Sequence, residues 1–259
     1  MGPRVEMFSL ANKVGLVVGI ANEQSIAWGC AKAFRDAGAE LAITYHARAE
    51  ERVRPLAEKL GAPIIVPLEI TDDAQTDAAF AAIDSQWGRL DFMLHCLAYC
   101  PRADLQGRVI DASLAGFQMA MNVSCHSFIR MLRRAERLMT HGGACLTVTY
   151  VGSERVVSHY GIMGPVKAAL EATVRYAAVE LGPKRITVNA LSPGPMRTRS
   201  ASGLHEFDAL LTAVTQRVPT LALPTIEDLG AHAVFLVSDG ARNVTGGVHF
   251  VDGGLSVIG

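Results

Sequence analysis

No apolar run in this chain approaches the roughly 20 residues that a membrane-spanning helix needs. No sign of charge dominates either: 24 Lys and Arg stand against 25 Asp and Glu, a formal net charge of −1. That balance removes the basic surplus of a nucleic-acid binder, and no charge block marks a disordered tail. Cysteine is scarce and odd in number: Cys30, Cys96, Cys100, Cys125 and Cys145. None forms a CxxC pair, so a disulfide framework is excluded in this context. Cys96 and Cys100 lie four apart without a second pair of ligands nearby, so buried thiols and no metal site are expected. Residues 1–10 hold one arginine and no apolar core of a signal peptide, which leads to the expectation of a cytoplasmic protein. Repeats, low-complexity segments and linkers are missing as well. What remains is one domain over residues 1–259, half of them hydrophobic, enough for a large α/β core.

Short β-type runs alternate with helical patterns along the chain. Strands are expected at 14–19, 40–45, 64–68, 91–97, 144–150, 186–191 and 248–251. Helices are expected at 25–37, 50–60, 73–87, 114–139, 160–181 and 226–238. Strict β-then-α order implies a single Rossmann-like, doubly wound parallel sheet of about seven strands with helices on both faces. The one long irregular stretch, 192–224, exceeds a plain connector and is expected to be a substrate lid with short helices of its own.

After the first strand comes Gly19-Ile20-Ala21-Asn22-Glu23-Gln24-Ser25-Ile26-Ala27-Trp28-Gly29. Its place between strand and helix suits a dinucleotide site, where backbone N–H groups and a helix N-terminus meet a pyrophosphate. The GxGxxG spacing is nevertheless absent, and a tight turn with Ser25 as a plain N-cap explains the same residues. Absent too is the acid that ordinarily follows the second strand and binds the adenosine ribose. The segment reads Thr44-Tyr45-His46, with Arg48 beyond, which leaves the choice between NADH and NADPH open.

Tyr150, Tyr160 and Lys167 form the chemically suggestive set. On a helix starting at Tyr160, a step of seven returns to within about 20° of the same face. A lysine there can lower the phenol pKa and bind a sugar hydroxyl, which suits hydride transfer with a developing oxyanion.

Together these residues resemble the short-chain dehydrogenase/reductase superfamily and, within it, the bacterial NADH-dependent enoyl-[acyl carrier protein] reductases. The resemblance runs from about Lys13 to the end. It is carried by the Gly19–Asn22 and Ser25–Gly29 segments, Gly38-Ala39-Glu40-Leu41-Ala42-Ile43-Thr44-Tyr45, and Tyr150-Val151-Gly152-Ser153-Glu154-Arg155. Tyr160 with Met163-Gly164 and Lys167, Pro193-Gly194-Pro195-Met196-Arg197-Thr198, Ala201-Ser202-Gly203 and Val251-Asp252-Gly253-Gly254 complete it. Ordinary superfamily members use Y-x3-K; here that slot holds Met163, and Y-x6-K takes its place.

The resemblance implies that hydride reaches the β-carbon of a trans-2-enoyl thioester while Tyr160 stabilises the enolate. It makes Tyr150, Tyr160 and Lys167 the catalytic set. Cofactor contacts carry over to Gly19, Ser25, Ile26, His46, Ile70, Cys96, Leu97, Ala98, Lys167, Met196 and Thr198. The acyl pocket falls to Tyr99, Tyr150, Tyr160, Met163, Pro195, Leu204 and Phe207; methionine and phenylalanine there also suit plain core filling. NADH, an acyl carrier protein-bound enoyl substrate and a homotetramer built on helices 114–139 and 160–181 are further implications. Arg197, Arg199 and Arg217 suggest a carrier-docking face, though exposed arginines are more often solvated charge.

Three positions depart from the family pattern: Asn122 where these reductases carry aspartate, Cys96 for a common serine, and His46 for a frequent glutamine. Asn122 is the residue of carbonyl-reducing members, where it shapes a proton relay to the lysine. A carbonyl reductase or alcohol dehydrogenase is therefore the alternative; Tyr150, with Thr149 as its nearest hydroxyl, speaks against it. A cofactor-binding protein without chemistry would need a broken catalytic set, and Tyr160 and Lys167 are intact.

Overall fold

The structure, a computed structural model, describes residues 6–196 and 214–258. Thr198, Leu204, Phe207, Arg197 and Arg199 lie outside the described residues. Seven strands form one wholly parallel sheet in the order β3-β2-β1-β4-β5-β6-β7. They are β1 (Val14–Val18), β2 (Glu40–Tyr45), β3 (Ile64–Pro67), β4 (Phe92–His95), β5 (Gly143–Val148), β6 (Ile186–Pro193) and β7 (Val248–Val251). Each end lies within two residues of its expected position.

Period-two alternation divides the core. From β1, Leu16 and Val18 enter one layer, with Ile83, Phe128 and Leu170. Val17 enters the other, with Phe34, Val53 and Leu236. Strand β4 does the same: Met93 faces the first layer and Phe92 and Leu94 the second. Burial on both faces is why these strands read as continuous apolar runs. Helices α3 (Asp73–Trp87), α6 (Ser127–Leu138) and α7 (Met163–Leu181) cover the first face. Helices α1 (Ile26–Asp36), α2 (Glu50–Lys59) and α8 (Ile226–Val237) cover the second. Asp72 caps α3 by accepting from Ala74 N at 2.9 Å, and Thr225 with Asp228 forms a capping box on α8.

Two expected helices change. The stretch 114–139 is not continuous: α5 (Leu114–Met121) passes through a π-helical turn, Asn122–His126, before α6. A single widened turn of this kind often marks a functional site. A short helix α4 (Arg102–Gln106), unforeseen from sequence, precedes α5. Helix α7 starts at Met163, not Tyr160, because His159 (φ 61°) and Gly161 (φ 48°) turn the chain just before it. A side chain on residue 161 would strike the Leu105 carbonyl, its Cβ lying 2.5 Å from the oxygen, so glycine is required there.

Candidate active site

The strand order reverses between β1 and β4, the position where open α/β sheets bind ligands beyond their carboxyl ends. Every described residue singled out for the site sits at that edge or on the elements bordering it. Gly19 and Ser25 follow β1, His46 follows β2, Ile70 follows β3, Cys96 to Tyr99 follow β4, Tyr150 follows β5, and Pro195 and Met196 follow β6.

The glycine loop passes against β4's exit. Gly19 has φ 109°, and a Cβ there would lie 2.0 Å from the Cys96 carbonyl oxygen. Ser25 occupies the N-cap position of α1 but makes no capping bond; its hydroxyl donates instead to Asn22 O at 2.7 Å. The plain-cap explanation therefore fails, and the first turn of α1 is left to meet an anion. A cleft of about 540 Å³ lies beside it, lined by Glu23, Gln24, Pro195, Met196 and the chain entering α8.

At the exit of β2, His46 is half exposed and faces Glu69, Nε2 to Oε2 3.2 Å, while its Nδ1 accepts from Arg48 N. Glu69, from the loop after β3, thus supplies an acid beside the end of β2 that the sequence of β2 itself lacks. Ile70 is buried, and its carbonyl accepts from Arg130 Nη2 at 2.6 Å. The same guanidinium donates to Asn122 Oδ1 at 3.1 Å. The side-chain oxygen of Asn122 is therefore tied through Arg130 to the loop after β3.

Tyr150 and Tyr160 pack ring to ring, centroids 5.0 Å apart and planes at 60°. Gly152 makes room: a Cβ on it would stand 2.6 Å from the Tyr160 ring. Lys167 is buried on α7, and its Nζ donates to Val148 O at 2.7 Å. Burial brings its pKa down to about 8. Burial also pushes the Tyr160 phenol far above its ordinary value, with Tyr150 and Glu171 adding to the rise. Two expectations are thus corrected. Tyr160 precedes the helix, so the shared face at a seven-residue step does not apply to it. Nor does Lys167 lower the phenol pKa; with its ammonium turned to Val148 O, desolvation dominates.

Of the remaining candidates, Met163 is core, buried at the start of α7, and Leu97 packs against the same cluster. Ala98 and Tyr99 are exposed at the cleft side of β4. Tyr99 is fixed by its backbone, whose N–H donates to Ser124 Oγ while that hydroxyl donates to Tyr99 O. The π turn is thereby clamped to the loop after β4.

Sequence reasoning missed two buried networks. His95 bridges Thr147 Oγ1 (3.0 Å) and Ser127 Oγ (2.7 Å), and Ser127 donates on to Val123 O in the π turn. Thr149 Oγ1 donates to Glu171 Oε1 at 2.5 Å. A histidine inside an apolar strand and an acid one turn beyond Lys167 were the available signals.

The comparisons with known proteins agree with this geometry. The family model described as enoyl-(acyl carrier protein) reductase matches residues 19–256. The chain is 45% identical to enoyl-[acyl-carrier-protein] reductase [NADH] 1 of Rhizobium meliloti, covering 95% of this chain and 91% of that one. It is 43% identical to the Bacillus cereus NADH enzyme, covering 96% and 99%. A crystal structure of the Anaplasma phagocytophilum reductase in complex with NAD superposes with a TM-score of 0.93 at 44% identity, covering 98% of this chain and 97% of that one. The Bacillus cereus reductase with NADP+ and indole naphthyridinone gives 0.94 at 43%, covering 96% and 98%. The chain belongs to the enoyl-[acyl carrier protein] reductase family of the short-chain dehydrogenases/reductases.

Proposed function

We propose that this protein reduces the 2,3 double bond of trans-2-enoyl thioesters carried on acyl carrier protein, with NADH as hydride donor, in fatty acid biosynthesis. The observation that carries it is the Tyr150–Tyr160 pair at the exit of β5, one helical approach away from a buried Lys167. Among the described residues neither phenol oxygen has a hydrogen-bond partner, so both remain for substrate.

The residues present fit a dinucleotide. Gly19 lets the loop turn tightly against the Cys96 carbonyl at the sheet's edge, α1 opens without a side-chain cap, and the Ser192 hydroxyl at the end of β6 is buried without a partner. Gly19, Ser25 and Ile26 would hold the pyrophosphate, and His46 and Ile70 the adenosine. Cys96, Leu97 and Ala98 would border the ribose, with Met196 and Thr198 toward the nicotinamide. When bound, reduced nicotinamide supplies the hydride. Lys167 spends one N–H on Val148 O, which leaves two to hold ribose hydroxyls. Tyr160, a phenol protonated at neutral pH and made more firmly so by burial, can donate to the thioester oxygen as negative charge develops there. Tyr150 lines the thioester, and Tyr99, Met163, Pro195, Leu204 and Phe207 the acyl chain.

The chain is read as one domain over 1–259 whose lid spans 192–224. Positions 192 and 193 still belong to β6, and Thr215, Leu223 and Pro224 border the cleft. Homotetramer formation is supported by apolar side chains left exposed on the two helices: Leu114 (72%) before the π turn, and Tyr176 (75%) and Val179 (78%) on α7. Five free cysteines suit a reducing cytoplasm. Among the described residues no helix is long and apolar enough to cross a membrane.

The test is oxidation of NADH, and separately of NADPH, with a trans-2-enoyl thioester and with a 3-oxoacyl thioester. Wild type should turn over only the enoyl substrate with NADH, and Tyr160→Phe should lower kcat on the order of 100-fold, the cost of one lost oxyanion donor. Turnover of the 3-oxo substrate alone would make this a carbonyl reductase.

A further inference from the structure

Three segments meet at a buried acid that the mechanism does not use. Asp104, in the short helix α4, is only 8% exposed. A carboxyl group taken out of water needs hydrogen-bond partners. Asp104 finds them nine residues on, at the start of α5. Its Oδ1 accepts from Ser113 N at 2.6 Å and its Oδ2 from Ser113 Oγ at 3.2 Å. The same hydroxyl accepts from Gly116 N at 3.0 Å and so caps α5. Gly116 is fitted closely to the acid, since a Cβ there would overlap Asp104 Oδ2. The end of α4 and the first turn of α5 are thereby joined through one side chain.

The backbone of α4 faces the turn that carries Tyr160. The carbonyl oxygens of Asp104 and Leu105 lie against Gly161, where a Cβ would stand 2.8 and 2.5 Å from them. Gly161 has φ 48° and directly follows Tyr160. Leu105 and Tyr160 also pack against the same core layer. Helix α4 has five residues, and Pro101 at its N-cap makes no side-chain capping bond. A helix this short does not hold itself in place through its own hydrogen bonds. Its position is set by its attachments, and Asp104 attaches it to α5.

We propose that Asp104 is a positioning residue for the reduction: by fastening α4 to the first turn of α5 through Ser113, it fixes the backbone surface against which the Tyr160–Gly161 turn rests, and so sets where the Tyr160 hydroxyl stands. This rests on the proposed function in one respect, that Tyr160 is the oxyanion donor.

The experiment compares wild type, Asp104→Ala, Asp104→Asn and Ser113→Ala by enoyl-thioester turnover, by NADH affinity from nucleotide fluorescence, and by fluorine NMR of protein carrying 3-fluorotyrosine. The chain has five tyrosines, and the resonances lost in Tyr160→Phe and in Tyr45→Phe assign those two signals. Because a small misplacement of a reacting group is costly, Asp104→Ala should lower kcat about tenfold or more while NADH affinity stays within about twofold of wild type. The Tyr160 resonance should move in that variant, and that of Tyr45, in the opposite core layer, should not. Asparagine keeps an oxygen for Ser113 N and offers an N–H to Ser113 Oγ, so Asp104→Asn should restore both kcat and the resonance. Wild-type kcat in folded Asp104→Ala overturns the proposal. So does a loss of NADH affinity that matches the loss of kcat, or an Asp104→Asn that behaves like the alanine variant. Should Asp104→Ala not fold, Ser113→Ala, which removes one of the two anchors, decides: a wild-type Tyr160 resonance there overturns the proposal and a shifted one supports it. Absence of turnover by wild type defeats the proposed activity, while the Tyr160 resonance still decides the role of Asp104.

Discussion

Acid should destabilise this protein through one histidine well before its carboxylates titrate. His95 is fully buried in β4, and both ring nitrogens are engaged by hydroxyls, Thr147 Oγ1 and Ser127 Oγ. Desolvation, helped by the Lys167 charge, lowers its pKa from 6.5 to about 3. The unfolded chain therefore binds a proton on this residue at pH values where the folded chain does not. Stability from the neutral ring is complete above pH 6.5 and is lost as pH falls from there toward 3. The full span, 3.5 pH units, corresponds to about 5 kcal/mol as an upper figure, and at pH 5 the loss is already about 2 kcal/mol. Urea unfolding followed by tryptophan fluorescence, at pH 7.5 and pH 5 and one fixed protein concentration, measures it. Substituting His95→Gln costs stability at both pH values, because buried hydroxyls lose a partner at about 1–3 kcal/mol each. The informative quantity is the difference between the two pH values. His232 and His249 are also shifted down by burial and leave a residual slope in both proteins. His95→Gln should remove about 2 kcal/mol of the wild-type loss on going to pH 5. An undiminished loss in the variant would refute the assignment of acid sensitivity to this network.

Gly19→Ala should lower the melting temperature and weaken NADH binding together, because a Cβ on residue 19, already at φ 109°, would lie 2.0 Å from the Cys96 carbonyl and must displace backbone; wild-type stability in a thermal melt would contradict that close approach. Arg130→Met, which frees the Ile70 carbonyl and Asn122 together, should raise KM for NADH about tenfold, from about 1.5 kcal/mol of charged hydrogen bonding, with kcat within about twofold. A fall in kcat at constant KM would place Arg130 in the chemistry instead. Asn122→Asp puts a carboxylate on Arg130 Nη1 and should raise the melting temperature in a thermal-denaturation assay while keeping enoyl reduction; an unchanged melting temperature would contradict the Arg130 contact.

Strands and helices were legible because their signals are local and repeated. The two core layers take alternate residues of β1 and β4, so burial on both faces wrote itself into the sequence as apolar runs. The π turn left no such trace. Residues Asn122–His126 continue the helical pattern on either side, and the extra residue shows only in the bonds it redirects, such as Ser127 Oγ to Val123 O and Ser124 to Tyr99. The start of α7 failed for a related reason. Tyr160 and Lys167 keep a helical interval, but Gly161 turns the chain at φ 48° against the Leu105 carbonyl, whose helix α4 was not foreseen. Periodicity cannot register a contact with an element that is itself invisible. Asn122 shows the same limit from the chemical side. Its residue type pointed toward a carbonyl reductase, whereas in its environment an arginine reaching over from α6 ties the side-chain oxygen to the Ile70 loop. The acid missing after β2 arrives from the loop after β3 as Glu69, against His46. In each case it is the partner that sets the residue's surroundings: Arg130 for Asn122, Glu69 for His46 and the Leu105 carbonyl for Gly161.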